Sequence, residues 1–565
     1  MFELKKILSF LKIFDRDLKK RLFFFFFIVI TFGIFELFGI GSLIVFFDIL
    51  MSENIENLNF LSKNVTNFLG INDYNSLVYI AGFITVISIT VRNLFLILEH
   101  YYKTKFVYYL QTILIKRVYN NYLNQDYNFF LKHTSNQLSK NIIQEVPSFT
   151  GRTIMAFLSI ISNMIIILIL TVIIFILETK AIIASISFIA IYYTIVFRNL
   201  KKKVNEIGNK RFNSTEQIFE TVRDSIEGFK EIKIYNFLVH LNKKMSTFLQ
   251  TYMNVYIKFS LYRILPRQIL EICLIMFTVT FILLIFEDGF VHIISSLILL
   301  VTTLYRVLPR VDGCLQDLVL LNFDLKTYNT ITDHLQLKTK TNKTKINKIN
   351  SMELRGIEFK YPSQSKLIKS INLNIKTGDF IGIYGKNGSG KTTLIELMCR
   401  FLKPNKGEIF INNKIQNQSI FSRLSYIPQK SFFFNGTIRE NITFFDESDQ
   451  KKSNDFYKAL DLSGVSDFIN QKEDKENFTL KDNAKNLSGG QRQKVALARA
   501  IYKNSDVIVL DEATNAFDNN SEKKIFEKLK YLSENKIIII ITHNSKILKY
   551  CNKKFKIENG SLRKI

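Results

Sequence analysis

Tryptophan is absent from this 565-residue chain, cysteine occurs four times, and 49 acidic residues face 76 basic ones. Without tryptophan, an aromatic belt at a membrane surface must be built from the 24 tyrosines and 52 phenylalanines. Cys273, Cys314, Cys399 and Cys551 show no paired or metal-like spacing, so neither a disulfide framework nor a zinc site is indicated. The shortage of acids leaves a formal charge of +27. Such a balance suits either nucleic acid or an anionic lipid surface. The excess sits beside apolar runs, as in KKRL at 19–22 and RNLKKK at 198–203, which favours the membrane and sets nucleic acid aside.

The chain is 47% hydrophobic yet 22% charged, a mixture that suggests a membrane part joined to a soluble part. At about 150 residues per domain the length allows several units. Six runs approach the ~20 apolar residues a spanning helix needs, at 22–50, 77–100, 153–178, 181–197, 261–286 and 291–308, the fourth being the shortest. The first is too long for a signal-peptide core and lacks a small-residue cleavage site, so it reads as a retained anchor. Segments before the first span, after the second, after the fourth and after the sixth are long and rich in Lys and Arg. The connections ETK (178–180) and EDG (287–289) are short. By the positive-inside rule both termini lie in the cytoplasm of a multi-pass cell (inner) membrane protein. In the first outer loop, Leu58, Leu61, Val65 and Phe68 recur at helical spacing. That pattern fits a short helix lying on the outer surface, or one packed on its neighbours. Inner segments 102–146 and 198–260 read as cytoplasmic continuations of the spans, with polar bends at 122–130 and 224–235.

Past residue 320 the hydropathy falls. A Lys/Asn/Thr run at 338–350 has no apolar face and reads as linker. Short β-branched strands then alternate with helices, as in an α/β domain. The expected division is 1–330 for the membrane domain, 331–350 for the linker and 351–565 for the soluble domain. Within the latter, residues 379–398 read as strand, glycine loop and helix. Gly385, Lys386, Asn387, Gly388, Ser389, Gly390, Lys391, Thr392 and Thr393 form the expected phosphate cradle. Lys391 supplies a point charge for the β- and γ-phosphates, and the Thr392 hydroxyl a ligand for Mg²⁺. A second strand, DVIVLDEAT at 506–514, ends in adjacent carboxylates that point opposite ways. Asp511 fits the metal side and Glu512 a base for the attacking water. IIIIITH at 537–543 is another buried strand, placing His543 where a γ-phosphate contact is possible.

LSGGQ at 487–491, followed by RQKVALARA, resembles the signature of ATP-binding cassette proteins. The resemblance implies further roles. Tyr361 in FKYP is similar to the aromatic that stacks on adenine. Gln429 in YIPQ resembles the loop glutamine that links nucleotide to the transmembrane helices, which gives it a catalytic and metal-side role. NAFD at 515–518 resembles the D-loop, and His543 the switch histidine. Ser488, Gly489, Gly490 and Gln491 would complete the γ-phosphate cradle of a second cassette, because one cassette does not close its own site. A chain with one cassette then needs a partner, which suits a homodimer, with a heterodimer of similar chains as the alternative. The fold implied is an exporter-type membrane α-helical bundle of six transmembrane helices joined to an α/β P-loop ATP-binding cassette domain. Three departures stand out. Residues 478–486 lack the glycines and glutamate usual in exporters, Asn515 and Phe517 replace the usual D-loop residues, and Asn544 stands where arginine often follows the histidine.

YRILPR at 262–267 and YRVLPR at 305–310 repeat one device near the inner ends of two spans. Arg263 and Arg267 share a helical face with Glu271, and Arg306 and Arg310 share another. Arg92 lies inside the second span. Such arginines either snorkel to lipid phosphates or ring a bound diphosphate. PRQILE at 266–271, LYR at 304–306 and the outer helix resemble the lipid-linked oligosaccharide flippase of bacterial protein N-glycosylation. That resemblance carries Arg92, Arg267 and Arg306 into a substrate-binding role. Glu36 in the first span either pairs with one of them or faces protein. The activity it implies is an ATP hydrolase coupled to outward flipping of an anionic, diphosphate-linked glycolipid. Export of another lipid, a peptide or a drug is the alternative. A gated channel or sensor without pumping is the alternative from another class.

Overall fold

The protein is described from a computed structural model covering residues 14–52, 58, 60–70, 73–177, 198–285, 290–337, 346–361, 367–415, 419–446, 453–513 and 517–565. Contacts divide it into two compact units. One comprises Met1–Gln125 and His133–Thr339, the other Asp126–Lys132 and Lys340–Ile565.

The first unit is built from long helices: α1 (Arg16–Met51), α2 (Tyr74–Leu123), α4 (Met155–Leu177), α5 (Arg198–Glu227), α6 (Leu238–Ile285), α7 (Phe290–Phe323) and α8 (Leu325–Leu335). Helix α3 (Tyr127–Lys132) belongs to the second unit. Helices suit the sequence because a segment in lipid must satisfy its own backbone hydrogen bonds. Among the described residues, three helical stretches are long and apolar enough to cross a membrane: Arg16–Leu50, Tyr74–Leu123 and Ser135–Thr171. Their outer faces are apolar, with Phe23, Phe27, Phe38, Phe83, Val86 and Ile97 exposed. This is the reverse of a soluble helix and leaves surface for lipid chains. The expected fourth span, the ETK and EDG connections and residues 338–345 of the linker lie outside the described residues.

Pro266 and Pro309 sit inside α6 and α7 without ending them. Between Leu58 and α2 a short helix covers Phe60–Leu69, and Leu58 packs on Ile49, Leu77 and Ala81. Helices α1 and α2 meet through the stacked rings of Phe35 and Phe95, 4.2 Å apart. Where α5 crosses α7, Gly208 lies against backbone. A Cβ there would fall 2.1 Å from the Phe323 carbonyl oxygen, so this crossing admits only glycine.

A buried ionic cluster ties several helices of this unit together. Glu145 and Asp324 are fully enclosed, each at 0% exposure. The Arg152 guanidinium donates to Asp324 at 2.8 Å, and Arg211 lies 3.4 Å from Asp324 and 3.8 Å from Glu145. Thr327 donates to Glu145 at 2.9 Å and receives a bond from Arg211 at 2.6 Å. Burial pushes the Asp324 carboxyl up to about 6 while the two arginines pull it down. Glu145 and Arg152 lie on two wide, π-type stretches, Asn141–Glu145 and Phe149–Ile154. Removing one partner of such a set strands charge in a low dielectric. Asp324→Ala should therefore lower stability by roughly 3–5 kcal/mol, read as a fall in Tm of the detergent-solubilised protein, and Asp324→Asn should cost less.

The second unit holds two main sheets. A four-stranded antiparallel sheet has the order β2-β1-β4-β5, from β1 (Ser351–Phe359), β2 (Ile368–Lys376), β4 (Lys406–Ile411) and β5 (Lys414–Ile415). A six-stranded sheet has the order β12-β11-β3-β10-β9-β6. Its strands are β3 (Phe380–Tyr384), β6 (Leu424–Ile427), β9 (Val507–Asp511), β10 (Ile537–Thr542), β11 (Lys553–Glu558) and β12 (Ser561–Lys564). All pairings in the larger sheet are parallel except β11 with β12. Strand β10, IIIIIT, is buried at every position, as a central strand covered on both faces requires. Helices α9 (Lys391–Met398), α10 (Gly489–Tyr502) and α11 (Asn519–Ser533) complete the unit with shorter helices. Apolar side chains from the two faces of the larger sheet form two separate cores.

Candidate nucleotide site and arginine cluster

Parallel register places the carboxyl ends of three strands side by side. Thr542 pairs with Tyr384, and Ile541 pairs with Asp511. Everything that follows β3, β9 and β10 therefore emerges at one edge, where open α/β sheets bind ligands.

After β3 the chain runs into the glycine loop. Gly388 and Gly390 have φ of +77° and +99°, a conformation that only glycine adopts cheaply. Gly390 caps α9, and the first residue of that helix is Lys391. The Lys391 ammonium is buried and donates to the carbonyls of Gly385 and Lys386, both at 2.9 Å. Two of its three hydrogens are thus spent on the loop. The Ser389 hydroxyl is buried with no hydrogen-bond partner among the described residues. A buried hydroxyl left over beside a lysine at a helix N-terminus fits an oxyanion that would sit within the loop. Lys386 and Asn387 are exposed at the tip. Thr393 is buried, and its hydroxyl lies 3.4 Å from that of Tyr361.

After β9 the two carboxylates part, as alternation requires. Asp511 is buried, hydrogen-bonded by Thr392, and receives the Tyr426 hydroxyl at 3.3 Å. Burial raises its carboxyl above the usual range, with those two bonds opposing. Thr392 and Asp511 together make the donor set suited to a hard cation such as Mg²⁺. Glu512 takes the left-handed conformation, φ +49°, and its N–H reaches the Ile541 carbonyl at 3.1 Å. Its side chain then turns toward residues from two other elements. Gln429 donates to Glu512 Oε2 at 2.9 Å, and His543 Nδ1 lies 3.4 Å from Oε1.

Ser488 caps α10 through a reciprocal capping box. The Gln491 N–H reaches Ser488 Oγ at 3.2 Å, and Gln491 Oε1 accepts from the Ser488 N–H at 3.0 Å. Ser488 and Gly489 are exposed, and Gly490 is partly so, which leaves this helix N-terminus facing outward.

Two of the departures have a local explanation. Asp482, Asn483 and Ala484 all take positive φ without glycine, and the Asn483 side chain accepts from the Phe433 N–H at 2.7 Å. Asn544 caps the following turn by accepting from the Lys546 N–H at 3.0 Å, a bond arginine could not make. Asn515 lies outside the described residues.

In the first unit, Arg92 and Glu36 form a two-pronged pair between α2 and α1, with the Arg92 Nη2–Glu36 Oε1 bond at 3.0 Å. Arg267 is half-exposed, bonded to Glu271 at 3.3 Å and 3.8 Å from Asp312. Arg310 donates to Asn163 at 3.2 Å. Arg306 lies on α7, and its side chain is outside the described set. Sequence reasoning missed Asp312 and Asn163, since neither shares a helix face with the arginine it meets by a recognisable motif. It also missed Glu396, Phe401 and Tyr426, which line the back of the nucleotide site.

Comparison with known proteins agrees with this organisation. The model of the ABC transporter transmembrane region matches residues 20–303, and the ABC transporter model matches residues 368–515. The lactococcin-G-processing and transport ATP-binding protein LagD of Lactococcus lactis is 36% identical over 215 residues, 37% of this chain and 30% of that one. The ATP-dependent permease MDL1 of Candida albicans is 37% identical over 231 residues, 39% of this chain and 32% of the permease. The alignments thus span about a third of the length of these relatives. A solved bacterial Atm1-family ABC exporter with ATP bound superposes with a TM-score of 0.81 at 18% identity, over 97% of this chain and 95% of that one, a likeness of fold. With a transmembrane region and an ATP-binding cassette joined in one chain, the protein belongs to the ABC transporter family.

Proposed function

We propose that the protein is an ATP-driven exporter that works as a homodimer and flips an anionic, diphosphate-linked glycolipid outward across the cell membrane. The observation that carries the ATPase half is Glu512. It is held by Gln429 and His543 beside the Thr392–Asp511 pair, at the mouth of the glycine loop. In this reading Lys391 and the loop N–H groups orient the β- and γ-phosphates, and Tyr361 stacks on adenine. Thr392, Asp511 and Gln429 would hold Mg²⁺, which would supply neutralisation of the charge on the phosphate oxygens. Glu512 accepts the proton of the attacking water, while His543 steadies the γ-phosphate. Ser488, Gly489, Gly490 and Gln491 serve the site of the partner copy, as their outward-facing helix end favours. Two apolar patches support pairing. Phe229, Ile234, Tyr235 and Val239 are exposed on the first unit, and Phe432, Phe434, Phe444 and Phe445 on the second. Patches of this kind on isolated units mark surfaces covered in an assembly.

The lipid half rests on the arginines. Glu36 neutralises Arg92, so Arg92 shapes the α1–α2 contact as much as it offers charge. Arg267, half-exposed and only loosely paired, is the better placed donor for a phosphate.

The ATPase reading predicts that Glu512→Gln binds Mg·ATP with unchanged affinity while phosphate release falls by at least about 100-fold. Full turnover would remove Glu512 from its role. The substrate reading is tested by ATPase stimulation of the reconstituted protein with diphosphate, monophosphate and neutral lipids. Diphosphate lipids should stimulate most, and Arg267→Ala with Arg306→Ala should abolish that difference. Equal stimulation by neutral lipids would overturn it.

A further inference from the structure

The short helix α3 that follows α2 falls in the nucleotide-binding unit. Helix α3 contains no fully buried residue, yet its first residue, Tyr127, makes two sets of contacts. Its hydroxyl donates to Glu396 Oε1 at 3.2 Å. The other oxygen of the same carboxylate, Oε2, accepts from the Tyr361 hydroxyl at 3.4 Å. The Tyr127 ring packs at 5.5 Å from Phe401, which lies 6.0 Å from Tyr426. Tyr426 in turn donates to Asp511. One tyrosine therefore touches a line to the adenine side and a line to the metal side. Glu396 sits on α9, five residues after Lys391, so the carboxylate rides on the helix whose N-terminus holds the phosphate loop.

We propose that Glu396 is a positioning residue shared by nucleotide recognition and the chain leaving α2, setting the Tyr361 ring on one side and reading that setting out through Tyr127 on the other. The proposal rests on the reading of Tyr361 as the adenine-stacking residue. A carboxylate accepting two phenolic hydrogens makes charge-assisted bonds to both. Half-burial strengthens them and raises the Glu396 carboxyl, against which the two tyrosine bonds act. Occupancy by a base moves the Tyr361 ring, changes its share of the carboxylate, and so changes the bond left to Tyr127. Tyr127 lies four residues beyond Leu123, the last residue of α2. Thr393, 3.4 Å from the Tyr361 hydroxyl, supplies the alternative partner that lets the ring shift without losing its hydrogen bond.

The test is steady-state ATP hydrolysis by the full-length chain in lipid nanodiscs with excess Mg²⁺. Tyr127→Phe keeps the ring on Phe401 and removes only the hydroxyl. It should raise KM for ATP by about 3- to 10-fold with kcat within about twofold, and Glu396→Leu should do the same. The double variant should show no more than the larger single effect, because both remove one shared carboxylate contact. Glu396→Gln keeps an acceptor and should return KM to within about twofold of the parent. Unchanged KM in Glu396→Leu, multiplying effects in the double variant, or a loss confined to kcat would each overturn the proposal. Tyr361→Ala separates the two layers. If it raises KM while Glu396→Leu does not, the proposal fails and the adenine reading stands. If it leaves KM unchanged, both fail.

Discussion

The parallel pairing of β3, β10 and β9 is the constraint on which the soluble unit depends. Its register aligns the ends of three buried strands. The glycine loop, the Asp511–Glu512 pair and His543 are far apart in the chain and meet only because those strands end together. Strand β10 is buried at every position, so the strand at the centre of this alignment is held by packing on both faces. Chemistry at the edge is thus held by apolar packing behind it. Asp511 and Lys391, both buried and both hydrogen-bonded, are the points where that rigid core hands over to polar contacts.

The membrane unit solves a different problem. Its outer faces are apolar, and several of its charges are buried and paired. Glu36 meets Arg92, Lys103 meets Glu99, and Arg152 and Arg211 meet Asp324 and Glu145. Buried pairs of this kind return little net stability but make the wrong arrangement expensive. They sit where helices cross, as does Gly208 against Phe323. In the proposed transport cycle these crossings move as units, because separating the members of a pair leaves charge without a partner.

Much of the cassette was legible in the sequence, since its glycine loop, DE pair and LSGGQ each carry their chemistry in consecutive residues. The long helices were legible for a similar reason, as apolar runs of about 20 residues have few other uses. What escaped was pairing across distance. Nothing local in FELFG shows which arginine Glu36 meets, and nothing in YLNQDYNFF singles out Tyr127 as a partner for Glu396. The Gln429–Glu512–His543 triangle was legible as three motifs but not as one hydrogen-bonded group. The missing glycines before LSGGQ are met by Asn483, whose side chain stabilises a left-handed stretch that composition alone would not suggest.

The central claim is that two copies of this chain close one nucleotide site, with the loop of one facing the signature of the other. Its most direct test places one cysteine at Asn387, on the tip of the glycine loop, in one tagged chain and one at Lys485, just before the signature, in a second, both exposed. A short bis-maleimide is then added to the co-purified Glu512→Gln chains with and without Mg·ATP. The account predicts a product of twice the chain mass that needs both cysteines and grows with nucleotide. An absence of linkage between chains, or linkage indifferent to Mg·ATP, would contradict it.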